Sequence, residues 1–326
     1  IHNAFKININ SKSTDITIDY DVLLIDESSM LDEKIAYNIF KQLPSSIKVI
    51  LIGDIQQLPP VGHGRIFENL YNSSKITTAN LTKTFRQSSQ SEILTLVDKL
   101  KVGDTNFKYN KYDNNKELNL INITNNTKTI INLKGEEEKV INQTVINNIC
   151  EIAVSKYFNI KESFQIIVYD NDTRDKINHQ IKLHNRELNN FTIYEHNKKK
   201  YDWCLYDKVI YKTNNYKKKI MNGFTGYIVE LDTNKILVKW DNGFYEYVQM
   251  CEFKDLDYAY AITIHGSQGN EYQEVFLVII KSILDKNILY TAITRAKQKL
   301  SIFTNDFLLK QSFTVSAQLI AFENDI

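Results

Sequence analysis

Apolar positions in this chain follow two rhythms. Short runs, Val22 to Ile25, Ile47 to Ile52, Gln165 to Tyr169, Ala259 to Ile264, Val275 to Ile280 and Lys299 to Phe303, are too brief for a helix face and predict strands of a buried sheet, the first covered on both sides. Between them the spacing lengthens. Ile35, Ile39 and Leu43, with Pro44 just beyond, predict a helix over 32–43. Ser89-Gln90-Ser91-Glu92 reads as a capping box opening a helix that turns Ile93, Leu96, Val97 and Leu100 inward and stops at Gly103. Val145, Ile149 and Ile152 carry the helical period over 141–158, and a polar turn from Asp170 enters a further helix through Ile181. Strand, helix and strand joined by short links form the right-handed crossover of a parallel sheet.

The stretch 203–247 differs. Asp207 to Tyr211, Gly226 to Leu231, Lys235 to Trp240 and Phe244 to Val248 are short, alternating and aromatic-rich, and Asn222-Gly223 and Asn242-Gly243 fit the turns of a small antiparallel barrel. Residues 104–139 are rich in Asn and Lys with little period and read as a surface connection. The expected fold class is therefore α/β, with parallel-sheet elements on either side of a connecting segment at 106–160 and a small antiparallel barrel over 201–248.

Composition narrows this a little. A chain of 326 residues has room for more than one domain, and a formal net charge of +1 argues against a strongly basic nucleic-acid coat, so any such contact needs a local groove. Cys150, Cys204 and Cys251 are too scattered for a paired metal spacing or a disulfide framework, so a reducing, cytoplasmic or other intracellular compartment is expected. No apolar run approaches the roughly 20 residues of a membrane span, and no membrane partner is expected.

Candidate chemistry sits where strands end. Ligands bind at the carboxyl edge of an open parallel sheet, and there Asp26 and Glu27 could hold Mg²⁺ and orient a water; the same pair would also serve as a helix cap. The second strand runs into Gly53-Asp-Ile-Gln-Gln-Leu-Pro-Pro-Val-Gly62, in which a neutral amide could sense a phosphate, or the residues could form only a tight turn. Later, the strand from Ala259 delivers a Gly-rich loop in which Thr263, His265 and Ser267 could donate to a phosphate backbone. The barrel aromatics and Lys217 to Lys219 fit either a small core or base stacking with phosphate neutralisation.

Asp26-Glu-Ser-Ser-Met30 followed by Gly53-Asp-x-x-Gln-Leu-Pro-Pro-Val-Gly62 resembles motifs II and III of superfamily 1 helicases, in particular the RecD-like group that includes phage Dda. The opening Ile1-His-Asn-Ala-Phe5 is similar to motif Ia, Tyr258 to Tyr272 to motif V with Gly266 where Lys is common, and Tyr290 to Lys297 to motif VI, read as a helix ending near Arg295. The resemblance implies an α/β fold of two RecA-like parallel-sheet motor domains, the first N-terminally truncated at 1–105 and the second at 161–200 and 249–326, with an SH3-like β-barrel insertion in the second at 201–248; it also implies ATP and Mg²⁺ as cofactors, and single-stranded DNA and duplex junctions as partners. Asp26 would be the metal ligand, Glu27 the catalytic base, Gln57 the γ-phosphate sensor, and Arg86 and Arg295 the cations reaching that phosphate. Gln268, Gly269 and Glu271 would lie at the nucleotide, and His2, Phe5, Pro60, Asn178, Thr263, His265 and Ser267 at the DNA. The implied activity is ATP-dependent translocation and strand separation in the 5′-to-3′ direction.

No glycine in the chain is followed by lysine, so the G-x-x-x-x-G-K-[ST] phosphate loop is missing and is expected upstream in a longer protein. Two other readings stay open: a single-stranded DNA-binding fragment that hydrolyses nothing, and a viral-type superfamily 1 RNA helicase.

Overall fold

The computed structural model describes residues 21–81, 91–124, 127–131, 137–157 and 163–314. The chain divides into two compact units, Ile1–Phe85 and Arg86–Ile326.

In the first unit, β1 (Val22–Ile25) runs parallel to β2 (Lys48–Leu51) through the connection of α1 (Glu33–Phe40), and α2 (Ile66–Tyr71) follows. The helix begins where Asp32 accepts a hydrogen bond from the Ile35 N–H at 2.7 Å, leaving its apolar face toward Ile25 and Leu31. Ala36 and Ile39 from that face complete a small core. The other face of the two strands is open among the described residues: Val22 is 48 % exposed, Leu24 55 % and Ile50 40 %. A four-residue apolar run thus marks a strand without saying how many of its faces are covered.

The second unit opens with α3 (Glu92–Val102). Its cap is Ser91, whose hydroxyl accepts from the Ile93 and Leu94 N–H groups, two residues on from the expected Ser89, which lies outside the described residues; Gly103 ends the helix in the left-handed conformation. Next come β3 (Leu118–Asn122), the antiparallel hairpin β4 (Thr127–Ile131) and β5 (Glu137–Ile141), α4 (Gln143–Tyr157), β6 (Phe164–Val168) and α5 (Asn171–Leu188). A second hairpin, β7 (Phe191–His196) with β8 (Lys199–Cys204), leads into β9 (Lys208–Tyr211), β10 (Thr225–Leu231), β11 (Lys235–Trp240), β12 (Tyr245–Gln249) and β13 (Leu256–Tyr258). The chain closes with β14 (Ala261–Thr263), β15 (Tyr272–Val278), α6 (Lys286–Ile293), β16 (Ala296–Thr304) and α7 (Asp306–Thr314).

These strands make two principal sheets. One is parallel throughout, in the order β14-β6-β15-β16-β3; the other is antiparallel, in the order β12-β11-β10-β9-β13. Together with the parallel pair of the first unit they give a mixed α/β architecture consistent with RecA-like motor domains. Strand β6 is buried along its whole length, as its apolar run predicts, and packs with α4 and α5 around Ile166, Phe276 and Val278. The antiparallel sheet has its own core of Val209, Ile228, Val238, Trp240 and Phe253, joined by Tyr194 and Trp203 from the β7–β8 hairpin. Most of the aromatics over 203–247 therefore serve packing, although Tyr245 is 55 % and Tyr216 49 % exposed.

The stretch read as a surface connection contributes β3 to the parallel sheet. Leu118, Leu120 and Ile121 signal it only weakly, because its second residue is Asn119, which is buried and bonded to Asp113, Asn110 and Ser301. A buried polar residue satisfied by the nearby Asn110 side chain and Asp113 backbone and by the distant Ser301 hydroxyl is invisible to a hydrophobic pattern.

Gly226 sits where β10 crosses β11 closely: an added Cβ would lie 2.6 Å from the Lys239 carbonyl oxygen and 2.9 Å from the Trp240 Cα. The two closest atoms are backbone of the paired strand β11, held by its ladder. Gly226→Ala is expected to destabilise the protein by about 1–3 kcal/mol, read as a lower urea midpoint with an unchanged m-value.

Candidate functional site

In the first unit the carboxylate pair lies where the β1–β2 ladder runs out. The ladder continues beyond the strands: the Ile52 N–H donates to the Ile25 carbonyl and the Ser28 N–H to the Ile52 carbonyl, both at 2.8 Å. The Ser28 hydroxyl donates back to the Ile25 carbonyl at 2.7 Å. Residues 26 and 27 must bridge this clamp, and Glu27 does so at φ 53°, ψ 39°, left-handed and uncommon for a residue with a Cβ. Its N–H donates to the Asp26 carboxylate at 2.8 Å. Asp26 is exposed and Glu27 half-buried, so both carboxylates stay at the surface of the sheet edge while the serines behind them are buried.

The loop after β2 is pressed against this turn. A Cβ on Gly53 would lie 2.9 Å from the Ser29 amide nitrogen and 3.1 Å from the Phe67 ring, so only glycine permits the approach. Asp54 then shapes an Asx turn, its carboxylate accepting from the Gln56 N–H at 2.9 Å and its carbonyl from the Gln57 N–H at 3.1 Å. Gln57 and Pro60 are half-buried around the buried Leu58. The loop returns to the start of α1, where the Glu33 N–H donates to the His63 carbonyl at 2.9 Å. The structure thus brings Asp26, Glu27 and the Gln57 loop together at one sheet edge.

In the second unit the loop after β14 gathers most of the other candidates. The Ile264 N–H extends the β14–β6 ladder to the Val168 carbonyl, and a short turn follows over His265–Ser267. The Ser267 hydroxyl is buried and donates to the Ile264 carbonyl at 2.7 Å; the Thr263 hydroxyl accepts from the Gly266 N–H at 3.1 Å. His265 is exposed, Gln268 half-buried, and Gly269 left-handed at φ 75°. Glu271 pairs with Lys297 at 3.1 Å, a partner that the sequence reading did not single out.

Arg295 differs from its expected setting on a helix. Helix α6 ends at Ile293, and Arg295 occupies the link into β16, 2 % exposed. Its Nε donates to the Thr291 carbonyl at 3.1 Å and its Nη1 to the Asn270 carbonyl at 3.0 Å, while its own carbonyl accepts from the Tyr272 N–H at 2.9 Å. The register of β15 beside β16 ends the helix here, an effect no local sequence signal carries. Arg295 is thereby bonded directly to the loop of Gln268, Gly269 and Glu271.

Asn178 lies on α5, buried. Its Nδ2 donates to the Tyr258 and Ala261 carbonyls at 3.2 and 3.1 Å, and its Oδ1 accepts from the Ala261 N–H at 2.7 Å. It clamps the entry to β14, and so fixes the root of the loop. His2, Phe5 and Arg86 lie outside the described residues. Among the described residues no group of three or more His, Cys, Asp or Glu could hold a metal ion, and no helix is long and apolar enough to cross a membrane.

Known proteins give this arrangement a context. A model described as AAA domain matches residues 2–122, and one described as UvrD-like helicase C-terminal domain matches residues 258–303. The uncharacterized protein MJ1519 of Methanocaldococcus jannaschii is 28 % identical over 94 % of this chain and 31 % of its own length. The RecBCD enzyme subunit RecD of Buchnera aphidicola subsp. Schizaphis graminum is 28 % identical over 89 % of this chain and 55 % of its own. The chain therefore spans between about a third and about half of these relatives. Its fold is similar to the crystal structure of Pif1 helicase from Bacteroides in complex with ADP-AlF3 and ssDNA, with a TM-score of 0.59 at 20 % identity over 99 % of this chain and 82 % of that one.

Removal of the Asn178 amide leaves the buried Ala261 N–H and carbonyl without it. Asn178→Ala is expected to cost about 2–3 kcal/mol, measured by urea denaturation, with Asn178→Asp no better because a carboxylate cannot donate to the two carbonyls. In general terms the chain is similar to helicases of superfamily 1, RecD subunits among them.

Proposed function

We propose that this chain is most of the two-domain motor, the first domain truncated before its phosphate loop, of an ATP-dependent helicase or translocase that moves 5′ to 3′ on single-stranded DNA and acts at duplex junctions. The reading assigns RecA-like motor domains to its two parallel sheets and an SH3-like insertion to 201–248. The observation that carries it is Glu27: a carboxylate held left-handed beside Asp26, at the carboxyl edge of β1, by a clamp of buried serine bonds. Such backbone strain, of order 1 kcal/mol, persists where surrounding structure enforces it and concentrates at working sites.

In this reading Glu27 orients the attacking water and accepts its proton. Asp26 suits Mg²⁺, which favours one or two carboxylates with several waters, because it is exposed and, among the described residues, commits an oxygen only to the adjacent Glu27 N–H. When bound, that ion would neutralise charge shared between the β- and γ-phosphates. Gln57, on the loop wedged behind the pair, contacts the γ-phosphate and loses that contact when it leaves. Arg86 and Arg295 supply positive charge to the same phosphate, and Gln268, Gly269 and Glu271 face the nucleotide. His2, Phe5, Pro60, Thr263 and His265 meet the strand. The buried bonds of Ser267 and Asn178 support an indirect part for those two, shaping the loop whose amides approach the phosphates.

The test is Glu27→Gln in the full-length protein. Nucleotide and single-stranded DNA binding should remain, and ATP turnover should fall by about 10²–10⁴-fold. Turnover within a factor of two of the parent would remove Glu27 from the role of base.

A further inference from the structure

A buried cation that the proposed mechanism leaves unused lies between the antiparallel sheet and the parallel sheet. Lys208, the first residue of β9, is 2 % exposed. Its Nζ donates to the carbonyl of Phe164, where β6 begins, at 2.8 Å. Three tyrosine rings surround it: Tyr157 from the end of α4 at 5.6 Å, Tyr227 from β10 at 5.3 Å and Tyr272 from the start of β15 at 5.7 Å. Among the described residues no carboxylate lies within ion-pair distance of this ammonium. Burial lowers its pKa, and the charge of Asp241, at the exposed end of β11, pulls it back up.

An ammonium in such a place is a poor way to stabilise two packed sheets. A desolvated charge without a paired anion costs more than an apolar side chain of the same reach. The position of the ammonium is more informative than its energy. Tyr272 donates its N–H to the Arg295 carbonyl, and Arg295 holds the Asn270 carbonyl, with Glu271 between. One side of the cage is therefore the loop that carries Glu271 and leads to Arg295. The other side is the antiparallel sheet: the Lys208 carbonyl accepts from the Ala259 N–H, and Tyr227 pairs with Lys208 across β9 and β10. A cleft opens at the same seam, lined by Thr225, Trp240 and Asp241 on one wall and by Asn270, Glu271 and Tyr272 on the other.

We propose that Lys208 is a positioning residue: it ties the antiparallel sheet to Tyr272, and through Tyr272 to Glu271 and Arg295, so that nucleic acid engaging this unit alters the rate of ATP hydrolysis. The functional half of this inference rests on the proposed helicase reading; the structural half, the tie itself, does not. Cation–ring attraction is directional enough to hold the Tyr272 ring over Lys208 and loose enough to yield when the sheet shifts.

Two measurements on Lys208→Met in the full-length protein test it. Amide hydrogen exchange at Tyr272 reports the bond to Arg295 directly and is expected to quicken at least tenfold, while amides of Ile236 to Trp240 stay within twofold of the parent. The ratio of single-stranded-DNA-stimulated to unstimulated ATP turnover is expected to fall at least fivefold with the KM for ATP within twofold, a split that a packing role alone would not produce. Asp241→Asn, an exposed change at the edge of the same network, guards against a folding failure of K208M and should move both readouts in the same direction by two- to threefold. Unchanged exchange at Tyr272 in folded K208M, or in D241N if K208M does not fold, overturns the tie. Unchanged stimulation with altered exchange overturns its functional part. A parent protein that DNA does not stimulate would instead overturn the helicase reading, and the exchange experiment would still decide whether Lys208 holds Tyr272.

Discussion

A parallel strand pair must do something with the backbone groups at its carboxyl edge, and in this protein that requirement shapes both groups of candidate residues. At the end of β1 and β2 the ladder is prolonged by the Ser28 and Ile52 amides, and the Ser28 hydroxyl bonds the Ile25 carbonyl. At the end of β14 and β6 the Ile264 amide prolongs the ladder, and the Ser267 hydroxyl bonds the Ile264 carbonyl. In each case a serine reaches back three residues at 2.7 Å. Such a bond replaces water that a buried carbonyl would otherwise need. The chain is then turned sharply, and the residues beside the serine are presented outward: Asp26 and Glu27 in the first unit, His265 and Gly266 in the second. A small hydroxyl residue at each edge is thus a structural means of exposing its neighbours.

Buried polar groups carry much of the remaining specificity in the second unit. Asn178 clamps α5 to β14, and Asn185 donates to both the Leu205 carbonyl and the Asp207 carboxylate. Asp207 also accepts from the Tyr260 hydroxyl at 2.6 Å and the Cys204 N–H at 2.7 Å, yet burial still raises its pKa above the usual carboxylate range. Burial likewise pushes the Cys204 thiol up to about 12, which makes it an inert packing group rather than a nucleophile. Around these groups the α5 face, the β8–β9 corner and the β13–β14 link are bound into one network. Partly satisfied, such a network would be costly; with several bonds each, its members specify a single arrangement of helix and sheets.

The glycines show the same economy of position. Gly53 allows the β2 loop to touch the Ser29 amide, and Gly226 allows β10 to touch β11. Neither needs a positive φ. Each is required by proximity to backbone that lies distant in sequence, so its importance is tertiary even where the residue type is conspicuous in the chain.

Much was legible in order of residues alone. Apolar runs located β1, β2, β6, β14, β15 and β16, and period located α1, α3 and α4, because burial of a regular element imposes its own repeat on the side chains. Alternation and Asn-Gly turns located β9 to β12 for the same reason. The paired carboxylates and the Gly-Asp loop were conspicuous since residues at a strand's end need not pack. Tertiary structure alone decided the rest. It placed β3 in the parallel sheet through a buried Asn119, left one face of β1 exposed among the described residues, cut α6 short of Arg295, and enclosed Lys208 among three tyrosines. Each depends on partners tens of residues away, and a local pattern records which side chains can be buried, not which distant groups will meet them.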